Sequence, residues 1–80
     1  MEDLTLYYLP TCPYCLKVLH FMENRGIVIN LKSTTELENQ KRLLEVGKKN
    51  QVPCLFIDGK PLYESNDIME YLGQRFSATI

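Results

Sequence analysis

Apolar residues return along this chain in two rhythms. Leu4, Leu6 and Tyr8 alternate with Thr5 and Tyr7, the period of two by which a strand turns one side toward a core. Pro10 and Thr11 break that pattern, and Pro13 suits the first turn of a helix, where its missing N–H is not needed. Cys15, Val18, Leu19 and Met22 then recur at helical spacing as one apolar stripe, and Gly26 reads as the stop. Residues 27–31 are short and β-branched and predict a second strand. Thr35 and Glu38 have the spacing of a capping box. The charged stretch 36–46, which carries Leu37, Leu43 and Leu44, predicts a second helix closed by Gly47.

Residues 52–57 form an apolar run that predicts a third strand. Asp58-Gly59 is a hairpin turn signal, and residues 60–63 return as a fourth strand. Ser65 suits the cap of a last helix, whose buried stripe would be Ile68, Tyr71, Leu72 and Phe76. The predicted order is β-α-β-α-β-β-α. A right-handed β-α-β crossover followed by a hairpin gives a four-stranded mixed sheet with helices on both faces, an α/β fold. With 80 residues and no linker, repeat or low-complexity tract, a single domain over 1–80 is expected.

Composition narrows the partners. A net charge of −1 favours neither nucleic acid nor an anionic membrane, and no apolar run has the length to cross a bilayer. Met1-Glu2-Asp3 lacks the basic and apolar regions of a signal peptide. A cytoplasmic protein is expected, monomeric, without nucleic-acid or membrane partners. Lys41, Arg42, Lys48 and Lys49 read as a solvated face. No Ser/His/Asp arrangement and no phosphate-binding glycine loop is present.

Three cysteines, Cys12, Cys15 and Cys54, are too few for a disulfide-stapled scaffold and leave one thiol over. Cys54 reads as a small packing residue. Cys12 and Cys15 stand differently. In Cys12-Pro13-Tyr14-Cys15 they lie three positions apart at the mouth of the first helix, on one face and within disulfide reach. Free N–H groups and the positive dipole end there favour a thiolate at Cys12. Cys15 lies on the apolar stripe and is harder to ionise. The asymmetry makes Cys12 the attacking thiol and Cys15 the resolving one, which points to thiol–disulfide exchange. A zinc site would need four ligands. Only Cys54 and His20 remain, and His20 points away from Cys12, so no metal is expected.

Taken together, Cys12-Pro13-Tyr14-Cys15, Val52-Pro53 and Glu64-Ser65-Asn66-Asp67 resemble a glutaredoxin, in order and over nearly the whole chain. The resemblance implies a thioredoxin-like fold, a cis peptide bond before Pro53, and glutathione as co-substrate with no tightly bound cofactor. It implies that Tyr14 flanks the sulfur. Gln51 and Val52 would meet the cysteinyl part, with Pro53 turning the Val52 backbone toward Cys12, and Ser65 with Asn66 would hold the γ-glutamyl end. The expected partners are glutathione and glutathionylated or disulfide-containing proteins. Two departures stand out. Leu9 occupies the place of a lysine common in the family, leaving Lys48 or Lys49 as substitutes for a contact to the glycyl carboxylate. The run Glu64-Ser65-Asn66-Asp67-Ile68 is more similar to the γ-glutamyl motif of the N-terminal domain of glutathione transferases, where Glu64 would meet the amino group. The helical second domain of a transferase is not expected. The alternatives are a hydrogen donor served by a flavoprotein reductase, and a carrier of a glutathione-ligated [2Fe–2S] cluster. The lack of tryptophan speaks against the first, and Pro13-Tyr14 against the second.

Overall fold

In a computed structural model, which describes residues 3–76, the alternating first segment becomes strand β1 (Leu4–Tyr8). The stripe after Pro13 becomes helix α1 (Pro13–Arg25), stopped by Gly26 in the left-handed region at φ 68°. Strand β2 (Asn30–Ser33), helix α2 (Leu37–Gly47), the hairpin β3 (Cys54–Ile57) and β4 (Lys60–Tyr63), and helix α3 (Ser65–Arg75) follow. The sheet order is β2-β1-β3-β4. β1 runs parallel to β2 and antiparallel to β3, and β3 is antiparallel to β4. This is the expected β-α-β-α-β-β-α arrangement with one mixed sheet. Among the described residues, no helix is long and apolar enough to cross a membrane.

Register divides the core between the two faces of the sheet. Leu6 sits opposite Leu55, and Tyr7 opposite Cys54. Leu4, Leu6 and Leu55 turn to one face and pack with Val18 and Met22 of α1 and with Ile68 and Leu72 of α3. Tyr7, Cys54 and Phe56 turn to the other and pack with Leu43 of α2. The Tyr7 and Phe56 rings meet at 4.6 Å between centroids. β1 is therefore buried on both sides, and Tyr7, expected on a polar face, is a core residue because α2 covers it. The hairpin turn has Asp58 at φ 53° and Gly59 at φ 86°, the doubly positive pair a two-residue loop requires.

Several boundaries differ from the sequence expectation. The second strand begins at Asn30. Ile27 is buried and Val28 exposed ahead of it, because parallel pairing to β1 starts only at Thr5↔Asn30. The third strand begins at Cys54, since Val52 and Pro53 precede the ladder. The Thr35/Glu38 capping box does not form. The Thr35 and Ser33 hydroxyls bond each other at 2.8 Å, and Glu36 is the N-cap without a side-chain bond. Asn39 Nδ2 instead donates to the Ser33 carbonyl at 2.9 Å. Gly47 is the last helical residue of α2, and Lys48 takes the left-handed position at φ 64°. Leu37 and Leu44 are 63% and 52% exposed, which leaves Leu43 as the fully buried anchor of α2. The cap of α3 is Glu64, with Ser65 already in the first turn. Phe76 lies at the C-cap, exposed.

Candidate functional site

Three chain reversals meet at one end of the sheet: the turn between β1 and α1, the segment between α2 and β3, and the junction of β4 with α3. The first carries Cys12 as the N-cap of α1, in extended conformation. Its N–H donates to the Leu9 carbonyl at 3.0 Å, and its carbonyl accepts from Leu16 at 3.0 Å. Proline at the next position has no N–H. The free donors near the Cys12 sulfur are therefore those of Tyr14 and Cys15, the second and third helical residues. Cys12 is half-buried, Cys15 fully buried, and both are free thiols, as is Cys54.

The two thiols are pushed in opposite directions. At Cys12 burial acts upward, but the Cys15 N–H, the Cys15 thiol and the Tyr14 N–H all favour the thiolate, and the net pKa lies below that of an ordinary thiol. At Cys15 burial dominates. The Leu9 N–H, which donates to its sulfur at 3.4 Å, pulls down, while the neighbouring Cys12 pushes up, and the result is about 12. Cys54 is pushed up to about 11 by burial, with the Tyr63 hydroxyl and the Leu62 N–H acting downward.

Beside this turn lies a cleft of about 460 Å³. Gln51, Val52 and Pro53 form one wall, Glu64, Ser65 and Asn66 the other, and Tyr14 borders it from α1. The Val52–Pro53 peptide bond is cis. All seven residues singled out in the sequence for a bound tripeptide thus line one cavity. Tyr14 is 64% exposed and Pro53 buried. Glu64 adopts φ 76°, ψ 117°, a sparsely populated conformation for a residue with a side chain, at a cost of about 1–3 kcal/mol. It sets the sharp entry into α3, whose first N–H groups are free to meet an anion. The cleft therefore offers an elongated cavity with anion-compatible N–H groups at the α3 end and Tyr14 at its α1 border.

Leu9 is half-buried, and neither Lys48 nor Lys49 lines the cleft. The Lys49 ammonium instead sits 5.1 Å from the centroid of the Tyr63 ring. His20 is exposed on α1. Two contacts were not visible in the sequence. Lys17 donates to Asn66 Oδ1 at 3.4 Å, joining α1 to the start of α3. Tyr63 donates its hydroxyl to the Gly47 carbonyl at 2.9 Å. The signal available for Lys17 was a cation on the polar face of α1 shortly after the cysteines. Nothing local marked Tyr63.

Known proteins share this frame. Residues 6–79 match the family model of the glutathione S-transferase N-terminal domain. Glutaredoxin 1 of Rickettsia prowazekii (strain Madrid E) is 27% identical over 71 residues, which cover 85% of this chain and 75% of that protein. Glutathione S-transferase D7 of Anopheles gambiae is 33% identical over 70 residues, 84% of this chain and 32% of the other. Among solved structures, glutathione transferase Omega 3C from Trametes versicolor superposes with a TM-score of 0.83 at 28% identity, over 98% of this chain and 34% of that one. The chain thus spans about a third of the length of these two transferases. Matched over nearly its whole length and folded as expected, the chain belongs to the glutathione S-transferase N-terminal domain family, with a thioredoxin-like fold.

Proposed function

We propose that the chain is a glutathione-dependent thiol–disulfide oxidoreductase acting through the Cys12 thiolate. One observation carries the reading. A half-exposed cysteine with a lowered pKa stands at a helix N-terminus beside a cleft shaped for an extended ligand, with a buried, protonated thiol one turn below it. The resemblance of the cleft residues to glutathione-binding motifs supports glutathione as the ligand.

The chemistry follows from the two pKa directions. Cys12 thiolate attacks the glutathione sulfur of a mixed disulfide. The Cys12–glutathione disulfide forms, the old S–S bond breaks, and the substrate leaves as a thiolate that takes a proton from water. A second glutathione thiolate then attacks the bound glutathione sulfur. Glutathione disulfide leaves, and Cys12 returns as thiolate, a good leaving group because its pKa is low. One free glutathione is consumed: its thiolate supplies the electron pair of the new S–S bond, the substrate sulfur carries off the pair of the old one, and the glutathionyl sulfur of the mixed disulfide stays at the disulfide level. With a protein disulfide, Cys12 stays joined to the partner until Cys15 loses its proton to water and attacks the Cys12 sulfur, which breaks the Cys12–partner bond and releases the partner as a thiolate that takes up a proton. The closed Cys12–Cys15 disulfide is then reduced by two glutathiones. Cys15, pushed up to about 12 chiefly by burial and in smaller part by the Cys12 thiolate, enters only at this step, when formation of the mixed disulfide removes the smaller of these two causes.

The test is steady-state turnover of a small glutathione mixed disulfide and of a protein disulfide at fixed glutathione. Cys12→Ser abolishes both. Cys15→Ser keeps the first and loses most of the second, because the helix no longer offers a resolving thiol at high effective concentration. Equal loss of both activities in Cys15→Ser would refute this division of labour. A second reading, glutathione transfer to an electrophile, is favoured by the transferase-like run at Glu64-Ser65-Asn66. Offering an electrophilic acceptor in place of the disulfide separates the two.

A further inference from the structure

The two walls of the cleft have one residue in common behind them. Tyr63 ends β4 and immediately precedes Glu64, so its backbone fixes where the wall of Glu64, Ser65 and Asn66 begins. Its ring packs with Cys54, its cross-strand partner, and with the core under α2. From there its hydroxyl reaches the stretch that leads into the other wall, donating to the Gly47 carbonyl at 2.9 Å and lying 3.5 Å from the Lys49 carbonyl. These carbonyls are at the end of α2, where helix geometry supplies no partner. The Lys49 ammonium covers the same ring.

Apart from Val52, which packs against the core under α2, the segment from 49 to 53 has few other contacts to hold it. It is neither helix nor strand. Among the described residues, no backbone–backbone hydrogen bond outside the regular elements involves it. It is pinned at its far end by buried Pro53 and at its near end by Tyr63. Gly47 fits the same arrangement, because a Cβ there would collide with the Tyr63 hydroxyl. Among the described residues, the hydrogen bonds and ring contacts of Tyr63 run to Gly47, Lys49 and Cys54, and none to Cys12 or Cys15.

We propose that Tyr63 is a positioning residue that sets the separation of the two cleft walls, and so the affinity for glutathione, without acting on the Cys12 thiolate. The proposal rests on the glutathione reading above. Its test measures binding of S-methylglutathione, which cannot react, beside turnover of a glutathione mixed disulfide. Tyr63→Phe keeps the ring and removes the hydroxyl. Loss of one such hydrogen bond corresponds to about fivefold weaker binding and a matching rise in KM for glutathione. Turnover at saturation and the pH profile of Cys12 alkylation stay those of the parent, which a general loosening of the fold would not produce. Gly47→Ala weakens binding too. Adding Tyr63→Phe to Gly47→Ala restores part of the loss, because removing the hydroxyl removes the collision.

Unchanged S-methylglutathione binding in Tyr63→Phe overturns the proposal and leaves the proposed function standing if the parent turns over. A fall of saturated turnover and Cys12 reactivity in step with binding also overturns it. A parent that binds S-methylglutathione but turns over no disulfide refutes the proposed function, and the ratio of binding constants still decides the role of Tyr63. A parent that binds no S-methylglutathione refutes both.

Discussion

Cys12 and Cys15 are the same chemical group three residues apart, and the difference between them is made by one helical turn. The N-cap position leaves Cys12 facing the unpaired N–H groups of Tyr14 and Cys15, while Cys15 has turned inward to complete burial. Alkylation should follow that split. In single-cysteine variants, the Cys12 rate rises with pH to a midpoint below the ordinary thiol value of about 8.5. Cys15 stays almost inert until strongly alkaline pH or unfolding. Iodoacetamide rates against pH measure both, and half-ionisation of Cys12 at or above about 8.5 would remove the basis of the mechanism. This pair was legible in the sequence because its cause is local: proline at the first helical position and an apolar stripe starting at the second cysteine. The Leu9 N–H on the Cys15 sulfur and the Tyr63 hydroxyl on Gly47 were not. Both join residues brought together by the folded chain, and neither residue type advertises its partner.

Helix interiors were readable from their stripes, as were both ends of α1 at Pro13 and Gly26, but the ends of α2 and α3 were not. Ser, Thr and Glu at capping spacing meant little once Ser33 and Thr35 could bond each other, and once Glu64 rather than Ser65 made the entry into α3. The end of α2 shows how this can be tested. Two residues compete for the left-handed position after a helix: Gly47, which would adopt it without strain, and Lys48, which does adopt it at φ 64°. Gly47 is instead the last helical residue, where a Cβ would collide with the Tyr63 hydroxyl. Lys48 therefore carries the strained conformation, and its side chain is exposed. Lys48→Gly should raise stability by about 0.5–1 kcal/mol, read as a higher urea midpoint at unchanged slope. At the end of α1 the reverse change, Gly26→Ala at φ 68°, should lower stability by about 1 kcal/mol. A lower midpoint for Lys48→Gly would mean that its side chain contributes more than its backbone loses.

At the scale of the molecule, a thin sheet covered on both sides gives a small chain two cores, and each has taken in ionisable groups. Cys15 is buried beside the α1–α3 face. Tyr7 and Cys54 are buried under α2, with Tyr63 at its margin. All four hold their protons more tightly than they would in the unfolded chain, chiefly because burial disfavours the charged form. A folded pKa above the unfolded one contributes stability that is complete below the unfolded value and is lost as pH rises toward the folded value. For the thiols that window opens at about 8.5 and extends toward about 12 for Cys15 and about 11 for Cys54. Cys12 acts in the opposite sense. Its lowered pKa contributes above the unfolded value and is lost only as pH falls through the folded one, so it adds no slope in the alkaline window. Stability should therefore decline with pH above about 8.5, by at most about 1.4 kcal/mol per pH unit for each thiol. Because Cys54 packs under α2 while Cys15 is a buried residue of α1, whose Val18 and Met22 cover the other face, their contributions should separate. Urea unfolding under reducing conditions from pH 8 to pH 10.5 should show the decline, and Cys54→Ala, whatever its baseline loss from the smaller side chain, should show a shallower one. Stability that stays flat across that range, or a slope that Cys54→Ala leaves unchanged, would mean that these thiols are hydrated enough to ionise without opening the fold.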